Sequence, residues 1–360
     1  MAAAGVIDAP RLPPYLEAAE PPEARGLTRD GVRLLVSCID TDTIVHSRFS
    51  ELPRWLVPGD LLVVNTSGTL NAALSARTGD GHRFEVHLST RLPGDFWVVE
   101  VRRPGPVASL PYRHARAGIT LDLEGDGRVI LLAPYPLSGG LDSRLWLAAL
   151  QLNEPLLPYL ERFGSPIRYS YVAGSWPESM YQTVFATEPG SAEMPSAGRP
   201  FTHELVTRLV STGIEIAPLL LHTGVASLED HEPPYEEHFR VPPETADRVN
   251  AARRTGHRVI AVGTTVVRAL ESVTDSRGRT SPGEGWTNLV ITAERPLNAV
   301  TGMITGFHEP HATHLAMINQ VIAAAGGGRA SSHLDRAYRE AQQAGYLWHE
   351  FGDSHLIIGA

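Results

Sequence analysis

Three short segments carry the side chains best suited to chemistry. In Arg258-Val-Ile-Ala-Val-Gly-Thr-Thr-Val-Val-Arg-Ala-Leu-Glu-Ser272 an apolar run enters Gly263-Thr264-Thr265 and passes directly into a helical pattern. A strand turning into a helix there presents backbone N–H groups and two hydroxyls at a helix N-terminus, a seat for a carboxylate or phosphate. A glycine turn with a threonine cap and no ligand fits the same pattern. The second segment is Thr305-Gly-Phe-His-Glu-Pro-His-Ala-Thr-His314, in which His308, His311 and His314 recur every third residue beside Glu309. Imidazoles are common zinc ligands, but Pro310 breaks a helix at its start, so the three need not share a face. The third is Leu219-Leu-Leu-His-Thr-Gly224, where His222 closes an apolar run. Strand ends of open α/β sheets are where ligands bind, although a satisfied core histidine reads the same way. Glu229, Asp230, Glu232, Glu236 and Glu237 that follow have the texture of a solvated loop.

Composition removes several classes of chemistry. The 31 basic side chains are all arginine, so a Schiff-base lysine, a pyridoxal attachment and a Walker lysine are excluded. The single cysteine, Cys38, lies in the apolar run from Arg33 to Ile39, which rules out internal disulfides and cysteine-based metal knots and suits a buried filler. No Gly-x-Gly-x-x-Gly or P-loop is present. With a net charge of −9, any nucleic-acid contact must come from a local arginine patch. No stretch reaches the roughly 18 apolar residues of a membrane span, and residues 1–22 do not read as a signal peptide. A cytoplasmic protein with no membrane association is expected.

The elements that must position these residues follow from periodicity. Arg33 to Ile39 and Asp60 to Asn65 are apolar runs split by Pro58-Gly59 and read as buried strands. From residue 71 to 150, strand-like pieces (Phe84 to Leu88, Phe96 to Val101, Ile119 to Leu123, Val129 to Leu132) follow at short intervals, with Asp126-Gly127 suited to a tight hairpin turn. They predict a small antiparallel β-barrel, inserted at 71–150 into an α/β domain formed by 1–70 and 151–360. In the second half, Thr202 caps a helix with Leu205, Val206, Leu209 and Val210 on one face and Gly213 at its end. Strands at Ile214 to His222, Arg258 to Gly263, Asn288 to Thr292, Met303 to Phe307 and Ser354 to Ile358 alternate with helices at Glu244 to Thr255, Thr265 to Ser272, Thr313 to Ala324 and Ser332 to Ala344. This alternation predicts a largely parallel sheet.

Taken in order, Pro58 to Asn65, Tyr181 to Ala186, Gly190-Ser191, Pro195 to Thr202, Leu221-His222 with Gly224, Arg258 to Ser272, Thr305 to Pro310 and Gly352-Asp353 resemble the S-adenosylmethionine:tRNA ribosyltransferase-isomerases of queuosine biosynthesis, from about Arg29 to Ile358. The resemblance implies an α/β domain interrupted by a β-barrel. It also implies a reaction in which the ribosyl part of S-adenosylmethionine is moved and isomerised onto 7-aminomethyl-7-deazaguanine in tRNA, giving epoxyqueuosine, adenine and methionine. The sulfonium acidifies the C5′ protons, so a base is needed, and His222 and His308 are the candidates, with Glu237 carried over from the family's acidic position. Gly263, Thr264, Thr265 and Arg268 would hold the methionine carboxylate. Phe201 and Phe307 would form the adenine slot, flanked by Thr202 and Thr305. No step requires a metal. The chain departs from the family's usual pattern at Gly68 and Ala73, at Pro200 in place of a histidine, and at Gly306 in place of an asparagine. These departures read as a divergent paralogue. A different acceptor on the same cofactor is the first alternative, and a metal-dependent hydrolase using His308, His311 and His314 the second.

Overall fold

Leu61–Asn65 is buried along its whole length, as a strand covered on both faces must be. It lies in the middle of a nine-stranded sheet. A computed structural model describes residues 12–105, 108–137, 143–225, 235–308, 314–326 and 330–359. In spatial order the sheet runs Gly283–Thr287, Glu237–Val241, Glu215–Leu221, Leu61–Asn65, Val259–Val262, Gly302–Gly306, Ser354–Ile358, Arg33–Cys38 and Thr43–Arg48. The four strands from Glu215–Leu221 to Gly302–Gly306 are parallel, with Leu219 level with Asn65 and Val262 level with Ile304. Outside this centre every pairing is antiparallel except that of Ser354–Ile358 with Arg33–Cys38, which is parallel.

Alternation along these strands divides the apolar side chains between two layers. Leu61, Val63, Leu219, Ala261 and Met303 face the helices Pro243–Arg254, Thr264–Ser272, His314–Ala324 and Ala330–Gln343. Leu62, Val64, Ile260, Val262 and Ile304 face Phe49, Phe201 and the helix His203–Ser211, whose Leu205 and Leu209 are buried. Thr202 caps that helix by accepting from the Leu205 N–H at 3.1 Å, and Gly213 follows it at φ 85°, both as the sequence predicts.

The barrel closes from six antiparallel strands, Ala73–Arg77, Arg83–Arg91, Phe96–Arg103, Thr120–Leu123, Arg128–Tyr135 and Leu145–Gln151, the last pairing back to Phe96–Arg103. Helix Leu156–Phe163 packs Tyr159 and Leu160 into the same core, and Gly164–Ser165 adds to the Ala73–Arg77 strand. Two local expectations are corrected. The hairpin turns at Gly125-Asp126, both at positive φ, with Gly127 in extended backbone. The strand expected at Asn288 to Thr292 is irregular chain that buries Leu289 and Ile291, and the edge strand is Gly283–Thr287 instead. A backbone partner decided this, because Gly283–Thr287 is the segment that pairs with Glu237–Val241.

Candidate functional site

All four parallel strands end on the same edge of the sheet, and three of the four ends carry a predicted site residue. After Asn65 comes Ser67, after Leu221 comes His222, after Val262 comes Gly263, and after Gly306 come Phe307 and His308. Asn65 ties the edge together. Its amide oxygen accepts from the N–H groups of Leu221 (3.0 Å) and Ser67 (3.1 Å), and its nitrogen donates to the Leu221 carbonyl (2.8 Å) and to Thr265 Oγ1 (3.3 Å). A buried amide with partners on both ends fixes the spacing of three strand ends at once.

His222 is held by a hydroxyl chain. Its Nδ1 lies 2.7 Å from Ser67 Oγ, which lies 2.6 Å from Ser191 Oγ, and Ser191 Oγ accepts from the Thr223 N–H at 2.9 Å. The ring lies against Gly190, where a Cβ would come within 2.3 Å of it. Nε2 is 4.0 Å from Glu188 Oε1, and Glu188 is bound by Arg240 at 2.6 Å. Burial lowers the His222 pKa to about 4, so the ring is neutral at physiological pH.

The Gly263 turn has the predicted strand-to-helix form. Gly263 sits at φ 96°, ψ 159°, a conformation nearly restricted to glycine, and no side chain caps the helix Thr264–Ser272. Its first-turn N–H groups therefore lie uncapped at the sheet edge beside the partly exposed Thr264 and Thr265. At the same edge, His308 Nε2 is 3.0 Å from Thr305 Oγ1, and the ring stacks on His314 at 4.5 Å, nearly parallel. Burial holds His308 well below the usual histidine range, and His314 falls to about 4 for the same reason.

The other predicted residues occupy bracing positions. Arg268 binds Glu237 and the carbonyls of Thr287 and Leu289, while Glu237 accepts from the Gly224 N–H at 2.9 Å, so the pair secures the loop after His222. Phe201 and Phe307, 0% and 1% exposed, sit in the cores on opposite faces of the sheet. Phe201 packs against Phe49 and Phe185, and Phe307 against Tyr338, Tyr346, Trp348 and His355. Neither ring is open to an adenine in this conformation, and the Thr202 hydroxyl is engaged as a helix cap. His311, Glu309 and the acidic run Glu229 to Glu232 lie outside the described residues. Among those described, no group of three or more His, Cys, Asp or Glu is gathered for a metal, and no helix is long and apolar enough to cross a membrane.

Sequence reasoning missed Asn65, Ser67 and Ser191 as supports, and His349 and Glu350 as neighbours of the edge. Asn65 and Ser191 fell inside quoted motifs, and a polar residue ending a wholly apolar strand was the available signal. Of the four departures, Gly68, Ala73 and Pro200 are buried, and only Gly306 opens onto space, the nearest atom to a Cβ there being the His349 carbonyl at 3.9 Å.

Comparison with known proteins agrees over nearly the full length. The S-adenosylmethionine:tRNA ribosyltransferase-isomerase of Moorella thermoacetica is 38% identical, with 96% of this chain and 97% of that protein aligned. The enzyme of the same name from Carboxydothermus hydrogenoformans is 37% identical over the same shares. The crystal structure of the S-adenosylmethionine tRNA ribosyltransferase of Thermotoga maritima superposes with a TM-score of 0.51 at 28% identity, covering 98% of this chain and all of that one. The family model described as queuosine biosynthesis protein matches residues 10–357, and the chain belongs to that family.

Proposed function

We propose that the protein is an S-adenosylmethionine-dependent ribosyltransferase-isomerase that acts on tRNA carrying 7-aminomethyl-7-deazaguanine, producing epoxyqueuosine and releasing adenine and methionine. The observation that carries this reading is the sheet edge. There the uncapped helix start at Gly263 to Thr265 and two neutral imidazoles, His222 and His308, stand at the ends of parallel strands of one sheet, in a chain that matches this family over residues 10–357.

In this reading the uncapped helix start takes the methionine carboxylate, with Thr264 and Thr265 hydroxyls alongside. His222 is the base that removes a C5′ proton made acidic by the sulfonium. Productive action needs the tautomer in which Nδ1–H donates to Ser67 Oγ, leaving the Nε2 lone pair for the substrate. The imidazolium formed is then stabilised by Glu188, 4.0 Å away. His308, oriented by Thr305, shapes the opposite wall. Glu237 and Arg268 act as positioning residues, and Phe201 and Phe307 brace the strand ends from either face. Removal of a proton beside a sulfonium requires no Lewis acid, so activity is expected to survive dialysis against a chelator.

The test is to incubate the protein with S-adenosylmethionine, with and without tRNA bearing the deazaguanine precursor, and follow free adenine and methionine. Release that depends on that tRNA supports the proposal. Release without it, or only with another amine, transfers the reading to a different acceptor, for which the open position at Gly306 is the favouring observation. Absence of S-adenosylmethionine binding by calorimetry refutes both.

A further inference from the structure

Next to the Gly263 turn lies a recess whose walls include Ser196, Ala197, Gly306, His349 and Glu350. It adjoins that turn directly, because a Cβ on Gly263 would stand 3.3 Å from that of Ala197. Three rings stack at its side. Tyr169 lies on Tyr171 at 5.4 Å with 8° between planes, and Tyr171 lies on His349 at 4.3 Å with 19°. The Tyr171 hydroxyl donates to Glu350 Oε2, which places a carboxyl group at the end of an aromatic ladder. His349 itself is at φ 74°, an uncommon conformation for a residue with a side chain, in the bend that leads into the turn at Glu350.

The chemistry of this group is specific. Protein crowding raises the Glu350 carboxyl to about 7, with no cation among the described residues close enough to hold it down. Tyr169 is pushed well above the usual phenol range by burial and by Glu193 and Glu350, so two carboxylates bear on the same ring. A carboxylate lacking a cation, flanked by phenol oxygens, favours an organic ammonium, which supplies the missing charge and donates to those oxygens. Resting on the transferase reading above, we propose that Tyr169, Tyr171 and Glu350 form a subsite for the primary ammonium group of a substrate. Two groups have this chemistry: the aminomethyl of the acceptor base and the α-ammonium of S-adenosylmethionine. A carboxylate here can also accept the ammonium proton, leaving a neutral amine and a carboxylic acid with no further reactant.

Calorimetric binding separates the sources. Wild type, Glu350→Gln and Tyr171→Phe are titrated with 7-aminomethyl-7-deazaguanine and its neutral 7-methyl counterpart, and with S-adenosylmethionine and its analogue lacking the α-amino group. In one pair, the wild type is expected to prefer the ammonium form by about 10-fold or more, and Glu350→Gln to reduce that preference to about 2-fold. The other pair stays unchanged, and Glu350→Asp restores part of the preference. The proposal is overturned if the wild type shows no preference in either pair, or if Glu350→Gln retains it while its melting curve matches the wild type. Failure of the wild type to bind either substrate refutes the transferase reading itself, and this subsite with it. Binding with an intact preference for the neutral forms refutes the subsite alone.

Discussion

Replacing His222 with alanine tests the centre of the proposed chemistry, and the structure sets the size of the effect. The ring is held from Nδ1 by Ser67 at 2.7 Å, is confined by Gly190, and is kept neutral by burial down to about pH 4. Loss of a positioned base costs about 10²- to 10⁴-fold in turnover. Ser67→Ala keeps the base and removes one orienting hydrogen bond, a loss of about 0.5–1.5 kcal/mol, or roughly 2- to 12-fold in kcat. The two variants should therefore be separated by about 8-fold or more. The pH profile gives a second reading. Because the folded pKa is depressed, the basic form persists from alkaline pH down through 5, and its contribution is lost as pH falls through about 4. An unburied histidine would lose it near 6.5. The assay is adenine release at saturating substrates, across the range in which circular dichroism shows the protein folded. If His222→Ala stays within about threefold of the wild type, His222 is not the base, whereas an acid limb near 6.5 refutes the depression of its pKa by burial.

Three other outcomes are expected. Gly263→Ala forces a side chain into φ 96° and should cost about 1–3 kcal/mol in urea unfolding, while weakening S-adenosylmethionine binding by calorimetry. Arg268→Met leaves Glu237 without its cation at a site where both side chains are only 13% and 11% exposed, and should destabilise by roughly 3 kcal/mol, partly recovered when Glu237→Gln is added. His355, buried beside Ser37 and lowered to about 3 by burial, binds a proton in the unfolded chain below about 6.5 but not in the folded one. Stability from this group is thus full above 6.5 and lost as pH falls toward 3, about 2 kcal/mol of it by pH 5. His355→Gln should flatten that slope in denaturation curves measured from pH 7 to 5.

Much of this arrangement was legible because it is written in local pattern. An apolar run ending at Gly263 announced the strand, the turn and the helix together, and Thr202 with Gly213 bracketed a helix correctly. The barrel followed from short alternating strands. What escaped was decided by distant partners. Val290-Ile-Thr292 has the residue types of a strand, yet Gly283–Thr287, with two glycines, is the segment that finds Glu237–Val241. Arg268 looked like a ligand for an anion until folding brought Glu237 to it from 31 residues away. Phe201 and Phe307 looked available because sequence does not tell a ring lining a cleft from one closed in the layer beneath it. Ser67 lies 124 residues from Ser191 and 155 from His222, so no spacing rule could have joined it to them.

The position of Ser354–Ile358 also bears on how the protein reaches this state. The strand lies inside the sheet, between Gly302–Gly306 and Arg33–Cys38, so it joins the parallel centre to the hairpin formed near residue 40. Until it is seated, the sheet exists as two pieces with open edges, and Arg33 lacks its Asp353 partner at 2.7 Å. The barrel needs no such arrival, because its strands all lie between residues 73 and 165. Assembly should therefore be stepwise, with a fast local unit and a slow closure set by contacts spanning some 320 residues. Every partly folded molecule waiting for that closure exposes strand edges on which a second chain can pair.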